Sequence, residues 1–443
     1  MKKLLSLVII LAITLSVFAG CGQKKTENAP KPTEAPKTET KAEPKKEVNL
    51  RMAIWGNDER KKVFEGLAAD FTAKNPNVKV EVVLIPFGEF QQKISIQMAS
   101  KSAPDVIWLA EKMIPQFVET NQLLDISKLK SDAEFDYKDI FPSTLELYDK
   151  GDKLYGIGFA MGPRVMFYNK TLFKEKGLKT PMELHKEGKW TYDELYKTAK
   201  ALTDSSKGIY GLRLFPATAP KDWANALYDM VWSYGGDFFT PDMTKVAINS
   251  PEGIKAIQMY YDMLFKDEVH PKPGDQLQFE SGKIGMVRDT FSSSATFRKV
   301  KDFEWDMAPN PVGPNAKAPK ATGLAGYSIY TGTKYPEESL ALLKYFTSKE
   351  IMTKLASTFP CPRKSVLESD AFMKQPNGLP TPEAIKASFV DPIASGLRTL
   401  PYHKNYQQID IKMQSLFDLL YTKSMTVEQV VKKIEDEVNP LMK

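Results

Sequence analysis

The sequence predicts an α/β protein in which strands and helices alternate and neighbouring strands are mostly parallel. Residues 48–55, 78–85 and 104–110 have strand patterns, and apolar residues at helical spacing occupy the two segments between them. Strand and helix patterns start again beyond residue 190. About 395 residues follow the polar segment near the N-terminus, which is enough for two domains.

The first 20 residues have the composition of a signal peptide. Two lysines precede residues 4–19, an almost wholly apolar run that is shorter than the roughly 20 residues of a membrane-spanning helix. Phe18-Ala19-Gly20-Cys21 resembles a bacterial lipoprotein lipobox, with Phe18 where leucine is usual. The resemblance implies that residues 1–20 are removed and that Cys21 carries lipid at the mature N-terminus. The alternative is an ordinary signal peptide followed by an incidental cysteine.

Residues 21–47 are expected to form the lipidated N-terminus and a disordered tether. The stretch 23–47 has four prolines and no large apolar residue, so it cannot bury enough surface to offset the entropy of ordering. Together with the two lysines of the leader, its seven lysines and five glutamates account for most of the formal charge of +6. The remaining body is nearly neutral and gives no indication of nucleic-acid binding.

The body begins with the order strand, helix, strand, helix, strand. Asn57 or Asp58 can cap the helix after the first strand, and Asn75-Pro76 ends it. The second helix pattern covers residues 87–100. This βαβαβ order implies a parallel sheet with right-handed crossovers.

Ligands of such sheets bind beyond the carboxyl ends of the strands. Trp55, Asn57 and Asp58 follow the first predicted strand, and Glu111 follows the third. The indole offers a flat apolar face and the other three offer polar groups, so these four residues are candidates for ligand binding. For Trp55 the alternative is packing in the core or between lobes.

Further elements follow along the rest of the body. The sequence indicates helix starts at Thr191, Ser250, Pro336 and Thr426, and strands within residues 207–215 and 279–291. Apart from Cys21 the chain has one cysteine, Cys361, so no intramolecular disulfide is expected.

The sequence offers little for catalysis. Its three histidines are far apart, and it has no zinc-site spacing, phosphate-binding loop or nucleophile elbow. We therefore expect neither a metal or other cofactor nor an enzyme. A tethered glycosidase is the alternative, because carboxylates are plentiful, and it would need two cleft carboxyl groups about 5–9 Å apart. An adhesive or structural lipoprotein is a further alternative.

Several segments, together with the lipobox, carry a family resemblance. They include AIWGNDERKKVFEGLAADFTAKNP, LYGIGFAMGPRVMFYNKTLFKEKGL, FESGKIGMVRDTFSSSATF and GLAGYSIYTGTKYPEESLALLKYFTSKE. In this order they resemble bacterial extracellular solute-binding protein family 1, the sugar-binding lipoproteins of ABC importers that are related to maltodextrin-binding protein. The resemblance extends over nearly all of residues 48–443.

The resemblance implies a two-lobe periplasmic-binding-protein-like fold of type II, with the ligand cleft between lobes that hinge strands join. The N-lobe would comprise residues 48–161 and 328–360, and the C-lobe residues 162–327 and 361–443. The chain would cross between the lobes near residues 162–167, near residues 323–329 and again after Phe359.

The resemblance also implies a lipid-anchored component of an ABC importer at the outer face of the cell membrane. Such a component binds a carbohydrate in the interlobe cleft, here expected to be an oligosaccharide, and delivers it to membrane permease subunits. A ligand that contacts both lobes would favour the closed form by its difference in affinity for the two forms. The protein would be a monomer whose partners are the carbohydrate, the permease and, through its lipid, the membrane.

The second lobe should supply rings and polar groups to a sugar, since sugar C–H faces stack on rings and hydroxyls need hydrogen bonds. The candidates are Phe215, Trp223, Phe291, Tyr402 and His403. By the resemblance, Phe291 and Tyr402 occupy places where related sugar binders often carry an aromatic residue. For Trp223 and Phe291 the alternative is core packing.

Two arginines suggest an alternative ligand. Arg164 falls in the first crossing, and Arg288 directly precedes Asp289. Guanidinium groups bind carboxylates or phosphates through paired hydrogen bonds and also bond neutral hydroxyls. If both arginines reached the cleft, the ligand could be an acidic sugar or another anionic solute. The alternative is that they form structural ion pairs.

Membrane attachment should depend on Cys21. Serine at this position cannot carry a thioether-linked lipid, so we expect Cys21→Ser to lose both fatty-acid labelling and firm membrane association. Metabolic labelling with a fatty acid and fractionation of expressing cells measure both. Cys361→Ser is the matched control and should remain labelled and membrane-bound. A Cys21→Ser protein that stays on the membrane without lipid would contradict the lipoprotein assignment.

Overall fold

The computed structural model describes residues 46–215, 222–315, 317–395 and 397–443. The predicted signal peptide, Cys21 and the tether as far as residue 45 lie outside the described residues. The described strands form two main sheets with helices packed against them, one sheet in each lobe of an α/β fold. Among the described helices, none has the length and apolar character needed to cross a membrane.

The elements are numbered in chain order. The strands are β1 (Val48–Trp55), β2 (Val78–Ile85), β3 (Val106–Ala110), β4 (Asp149–Lys150), β5 (Lys153–Leu154), β6 (Ile157–Gly162), β7 (Val165–Asn169), β8 (Tyr210–Arg213), β9 (Ile284–Asp289), β10 (Trp305–Ala308), β11 (Lys320–Ile329) and β12 (Leu397–Thr399). The helices are α1 (Asp58–Lys74), α2 (Phe87–Ala99), α3 (Ile114–Glu119), α4 (Lys170–Glu175), α5 (Pro181–Lys186), α6 (Tyr192–Leu202), α7 (Trp223–Tyr234), α8 (Pro251–Phe265), α9 (Ser294–Phe297), α10 (Pro336–Phe346), α11 (Lys349–Leu355), α12 (Lys364–Leu367), α13 (Asp370–Met373), α14 (Pro382–Ile385), α15 (Asp391–Ser395), α16 (Tyr406–Tyr421) and α17 (Val427–Val438).

The first lobe contains the sheet with the strand order β12-β11-β3-β1-β2, and β6 also pairs with β11. β1 is parallel to both β2 and β3, which confirms the βαβαβ arrangement predicted for residues 48–110. Asn57 caps α1 as predicted, because its side-chain oxygen accepts a hydrogen bond of 3.0 Å from the Arg60 backbone N–H.

The second lobe contains the sheet with the strand order β10-β7-β9-β8. β7 is antiparallel to β9 and β10, and β8 is parallel to β9. Alternate residues of β7 enter different cores, because strand side chains point to opposite faces of a sheet. Met166 and Tyr168 belong to the core beneath α7, α8, α16 and α17, while Val165 and Phe167 pack on the opposite face. Both faces of this sheet are therefore covered.

β6 and β11 connect the two lobes. They run antiparallel with Gly162 opposite Gly323, and the Gly162 N–H donates to Thr322 Oγ1 at 3.0 Å. Gly162 has a φ of +135°, and a Cβ there would lie 2.6 Å from a ring carbon of Phe389. Only glycine suits this position. After Gly323, β11 joins the first sheet by pairing with β3.

The third crossing lies later in the chain than the predicted boundary between residues 360 and 361. Arg363 is buried, and it donates 2.8 Å hydrogen bonds to the carbonyl oxygens of Phe135 and Thr347, both in the first lobe. Its guanidinium needs these partners, and they keep this segment on the first lobe. Thr381 then bonds to Asp306 of β10 in the second lobe. The packing therefore differs from the predicted division.

A buried polar network joins β9, α7 and β11 in the second lobe. Arg288 forms an ion pair with Asp229 and donates to the carbonyl oxygen of Asn225. The other Asp229 oxygen accepts the Ala321 N–H at 2.9 Å, and Asn310 Nδ2 donates to the carboxylate at 2.9 Å. Arg288 therefore has the structural ion pair that the sequence left open as an alternative.

Removing the arginine of this network should destabilise the protein. Arg288→Met leaves the Asp229 carboxylate buried without its cation, which costs about 3–5 kcal/mol of unfolding free energy. Urea unfolding measures the change. Arg51→Met removes a half-exposed arginine paired with Glu81 and should change stability little. An Arg288→Met protein as stable as the parent would show that the network contributes nothing net.

Candidate functional site

A cleft with a volume of about 620 Å³ lies between the lobes, at the crossing of β6 and β11. The first lobe lines it with Trp55, Gly56, Arg60, Phe87, Glu111, Lys112, Phe159 and Phe359. The second lobe and the segment after the third crossing line it with Arg164, Asp222, Asn225, Asp289, Thr290, Phe291, Ser292, Ser293 and Phe389. Of these residues the first-lobe side, the aromatic wall, has four rings beside three charged side chains, and the opposite side, the polar wall, has seven polar side chains and two rings.

The parallel sheet of the first lobe explains why its cleft residues come together. The carboxyl ends of β1, β2 and β3 meet at one edge of the sheet, because the three strands run in the same direction. Trp55 ends β1, Phe87 follows β2, and Glu111 follows β3. All three line the cleft, so the residues after the predicted strands do share one region.

Trp55 lies at the edge of the aromatic core of the first lobe. Its ring packs edge-on against Phe90 and Trp108, with centroid distances of 5.1 and 5.0 Å. Phe87 is 41% exposed and meets the Trp55 ring at 5.5 Å. The core fixes one side of the half-buried indole, and Phe87 extends its apolar surface along the cleft.

The second-lobe wall is built around Arg164. Its guanidinium lies 3.9 Å from Asp222 Oδ2 and 3.8 Å from Asp289 Oδ1. These distances exceed a normal hydrogen bond, so the groups retain hydrogen-bonding capacity for a ligand. Burial raises the pKa of Asp289, and the charge of Arg164 acts in the opposite direction.

Hydroxyl and amide groups complete the polar wall. Thr290, Ser292 and Ser293 follow β9 directly, and Thr290 Oγ1 lies 3.0 Å from Ser292 Oγ. Asn225 faces the cleft from the first turn of α7, where its amide donates to Asp222 at 2.8 Å. The wall therefore presents both donors and acceptors within one short stretch of surface.

Glu111 both lines the cleft and joins the lobes. Its Oε2 accepts the Leu324 N–H at 3.1 Å, and its Oε1 accepts the Tyr402 hydroxyl at 3.3 Å. The side chain is 8% exposed. Burial raises the pKa of Glu111, although the Leu324 hydrogen bond and the charge of Arg164 act to lower it. Glu111 follows β3 of the first lobe, whereas Tyr402 belongs to the core beneath α7, α8, α16 and α17 in the second lobe.

Of the sequence candidates, Trp55, Glu111, Arg164 and Phe291 line the cleft. Phe291 is only 2% exposed, because Phe372 and Phe389 each lie 5.2 Å from its ring centroid. It therefore contributes an edge of the cleft rather than an open platform.

The structure places the other aromatic candidates away from the cleft lining. Phe215 is buried with its ring 4.9 Å from His270. Trp223 is buried, and its indole N–H donates to Asp410 at 2.9 Å. Two residues along a helix differ by about 200° in direction, so Asn225 faces the cleft while Trp223 faces the core. Tyr402 reaches the site only through its bond to Glu111.

The remaining polar candidates also lie outside the lining. Asn57 and Asp58 are exposed at the start of α1, where Asn57 acts as the helix cap. Arg288 is buried with Asp229. His403 accepts the Asn405 N–H at 3.0 Å through Nδ1, and burial lowers its pKa.

Sequence reasoning missed several cleft residues, chiefly Arg60, Phe87, Lys112, Asn225 and the stretch 289–293 apart from Phe291. The strand-end rule already pointed at Phe87 and Lys112, since they follow β2 and β3. Arg60 lies five residues beyond β1, in the first turn of α1. From the sequence alone, a basic residue at such a position indicates a solvent-exposed helix face.

Two polar contacts join the lobes beside the cleft. Lys299, which follows α9, lies 2.6 Å from the Glu59 carboxylate of α1. Arg298 donates to the Ser357 carbonyl oxygen of the first lobe at 2.8 Å. In each contact the first-lobe residue is within two positions of a residue that lines the cleft. Arg60 directly follows Glu59, and Phe359 is two residues beyond Ser357.

Comparison with known proteins identifies relatives of this chain. A family model described as bacterial extracellular solute-binding protein matches residues 56–353. The diacetylchitobiose binding protein DasA of Streptomyces coelicolor is 27% identical over 322 residues, which are 69% of this chain and 70% of DasA. A galactooligosaccharide-binding protein of Bacillus subtilis is 27% identical over 389 residues, 84% of this chain and 83% of that protein.

The fold also resembles solved structures. The ABC substrate-binding protein Lmo0181 of Listeria monocytogenes, solved in complex with cycloalternan, superposes with a TM-score of 0.78 at 22% identity. The match covers 89% of this chain and 99% of the other. The likeness confirms the predicted two-lobe α/β fold.

Protonation of Glu111 should contribute to the pH dependence of stability. Its folded pKa is raised above the ordinary value of 4.5, so the folded protein holds this proton more tightly than the unfolded chain. Unfolding free energy should therefore fall as pH rises from about 4.5 to the raised pKa. Glutamine does not titrate, so the stability of Glu111→Gln relative to the parent should increase across this window.

Urea unfolding at a series of pH values from this window to neutrality measures the difference. Glu146→Gln, at an exposed glutamate, is the control and should show no comparable trend. If the difference in unfolding free energy between Glu111→Gln and the parent were the same at all pH values, the raised pKa of Glu111 would be contradicted.

Proposed function

The chain belongs to the bacterial extracellular solute-binding protein family, and we propose that it is the carbohydrate-binding component of an ABC importer. The observation that carries the proposal is the pairing, in one cleft, of an aromatic wall with a wall of hydroxyl, amide, guanidinium and carboxylate groups. The proposal is supported by two relatives, which are named as a diacetylchitobiose binding protein in Streptomyces and a galactooligosaccharide-binding protein in Bacillus.

This pairing matches the surface of a sugar. Sugar rings present C–H groups on their faces, which pack on aromatic rings, and hydroxyls at their rims, which need hydrogen-bond partners. Trp55 and Phe87 offer the apolar surface. Asn225, Thr290 and Ser292 offer small donors and acceptors opposite them. We infer that an oligosaccharide binds with a face against the first lobe and its hydroxyls toward the second.

The charges beside the polar wall favour a neutral sugar there. Arg164 lies between Asp222 and Asp289, and Arg288 is paired with Asp229 away from the cleft lining. These were the two guanidinium groups that suggested an anionic ligand. A carboxylate placed near Arg164 would also meet Asp222 and Asp289, which repel it.

The assignment includes no covalent chemistry. The matched family and the named relatives are binding proteins. A glycosidase would need two cleft carboxyl groups free for acid and base roles. Among the described residues the cleft has three carboxyl groups: Glu111 is bonded to Leu324 and Tyr402, and Asp222 and Asp289 both lie beside the Arg164 guanidinium. These arrangements suit structural and binding roles better than proton transfer to a substrate.

The protein would work outside the cell membrane, together with permease subunits. The family is extracellular, and Cys21 with the tether would hold the body near the outer face of the membrane by its lipid. Because both lobes line the cleft, a ligand would contact both and favour the closed form. The loaded protein would then deliver its ligand to the permease subunits.

The proposal is tested by calorimetry of the purified protein with N,N′-diacetylchitobiose, galactotriose and maltotriose. We expect at least one of them to bind. Trp55→Leu, which keeps an apolar side chain against Phe90 and Trp108, should weaken that binding about tenfold, a loss of roughly 1.4 kcal/mol.

Phe265→Leu is the matched control, since Phe265 is a partly buried aromatic residue that packs on the core beneath α7, α8, α16 and α17. It should bind like the parent. Unchanged affinity in Trp55→Leu would remove Trp55 from the site. Hydrolysis of a saccharide by the parent would replace the proposal by the glycosidase alternative, and a folded parent that binds none of the three would contradict it.

A further inference from the structure

Arg60 has an unusual environment for a charged side chain. It lies in the first turn of α1, lines the cleft and is only partly exposed. Its guanidinium carbon lies 5.2 Å from the ring centroid of Phe359, which also lines the cleft. The ring holds the guanidinium by a cation–π contact.

Gly56 makes room for this arrangement. A Cβ at Gly56 would lie 2.7 Å from Arg60 Cδ and 3.2 Å from its Nε and Nη1. Gly56 has a φ of +140°, a backbone conformation that other residues rarely adopt. The arginine side chain therefore lies folded over the glycine backbone at the end of β1, with Phe359 against its guanidinium.

Within the described part of the chain, the Arg60 side chain has neither a salt bridge nor a hydrogen-bond partner. Its backbone N–H is the group that bonds Asn57. Desolvation lowers the pKa of its guanidinium. By contrast, Arg164 has two carboxylates nearby, Arg288 is paired with Asp229, and Arg298 donates to Ser357 and Gln375. A half-buried cation without an anion is unfavourable unless another molecule supplies the acceptors.

We propose that Arg60 is a specificity-determining residue that binds a pair of oxygen acceptors on the ligand, an inference that rests on the carbohydrate-binding function proposed above. The forked N–H groups of a guanidinium match two oxygens side by side. Two adjacent hydroxyl oxygens of a neutral sugar offer such a pair, and so does the carboxylate of an acidic sugar. The contacts with Gly56 and Phe359 fix the fork before the ligand arrives, which lowers the entropy lost on binding.

The position of Arg60 determines at which wall of the cleft an acidic group of the ligand can bind. Arg60 belongs to the aromatic wall, whereas Asp222 and Asp289 lie on the opposite wall beside Arg164. An acidic group on the sugar would therefore be accommodated at Arg60 and not at Arg164. A galacturonate oligosaccharide is therefore a suitable probe of Arg60.

Calorimetry of the full protein and of its Arg60→Met and Arg60→Lys variants tests the proposal. The probes are N,N′-diacetylchitobiose, galactotriose, maltotriose and trigalacturonate. For whichever probe the parent binds, Arg60→Met should weaken affinity at least about tenfold. Arg60→Lys keeps the positive charge but loses the paired N–H groups of the guanidinium. Its affinity should therefore lie between those of the parent and of Arg60→Met. Preference for trigalacturonate would identify the acceptors as a carboxylate, and preference for a neutral probe as hydroxyls.

Thermal unfolding without ligand distinguishes a binding role of Arg60 from a structural one. If Arg60 were structural, its replacement would lower the unfolding temperature. Methionine keeps the apolar stem over Phe359 and removes the unpaired charge, so Arg60→Met should unfold at the same or a higher temperature than the parent. Lys62→Met, at an exposed lysine of α1, is the control and should bind like the parent.

Two results would overturn the inference. One is an Arg60→Met protein that binds the probe as tightly as the parent. The other is an Arg60→Met protein that unfolds at a clearly lower temperature without ligand, which would make Arg60 a structural residue. If the parent bound no probe, the proposed function would fail, while the unfolding comparison would still decide the role of Arg60.

Discussion

The cleft depends on strand β11, which is shared by the two lobes. Its first residues pair with β12, its middle with β6 and its last part with β3. Buried backbone N–H and C=O groups must be bonded, so the strand cannot slide without losing partners on both edges. This register sets Gly162 opposite Gly323 and brings the carboxyl ends of β1–β3 next to the loop after β9. The aromatic and polar walls face each other for this reason.

Charge in the cleft is balanced in number but not in arrangement. Its lining has three basic side chains, Arg60, Lys112 and Arg164, and three acidic ones, Glu111, Asp222 and Asp289. The two basic residues of the first lobe lie over rings, Arg60 at 5.2 Å from the Phe359 centroid and Lys112 Nζ at 5.4 Å from that of Phe87. Rings attract cations without satisfying their hydrogen bonds. Among the described residues neither cation has a hydrogen-bond partner for its side chain, whereas Arg164 of the second lobe already has carboxylate neighbours.

The sequence predicted helix starts and strands in both lobes, but it predicted the cleft residues of the first lobe better than those of the second. Period-two patterns and the Asn57 cap located β1, α1 and β2, and the strand-end rule led to Trp55 and Glu111. In the second lobe, the presence of an aromatic residue did not predict whether that residue lines the cleft. Whether Trp223 faces the core depends on Asp410, which lies 187 positions away and receives its N–H. Arg60 was missed because its folding over Gly56 and against Phe359 is a tertiary feature that local spacing does not show.

Adjacent residues of α1 act in different parts of the molecule, and this suggests how ligand binding and lobe contact are connected. Glu59 pairs with Lys299 of the second lobe, while Arg60 faces the cleft. On the other side, Ser292 and Ser293 line the cleft and lead directly into α9, after which come Arg298 and Lys299. An exposed ion pair such as Glu59–Lys299 contributes little by itself. A ligand held between Arg60 and the loop after β9 would immobilise both partners of that pair, so the energy that holds the lobes together would come mainly from the ligand.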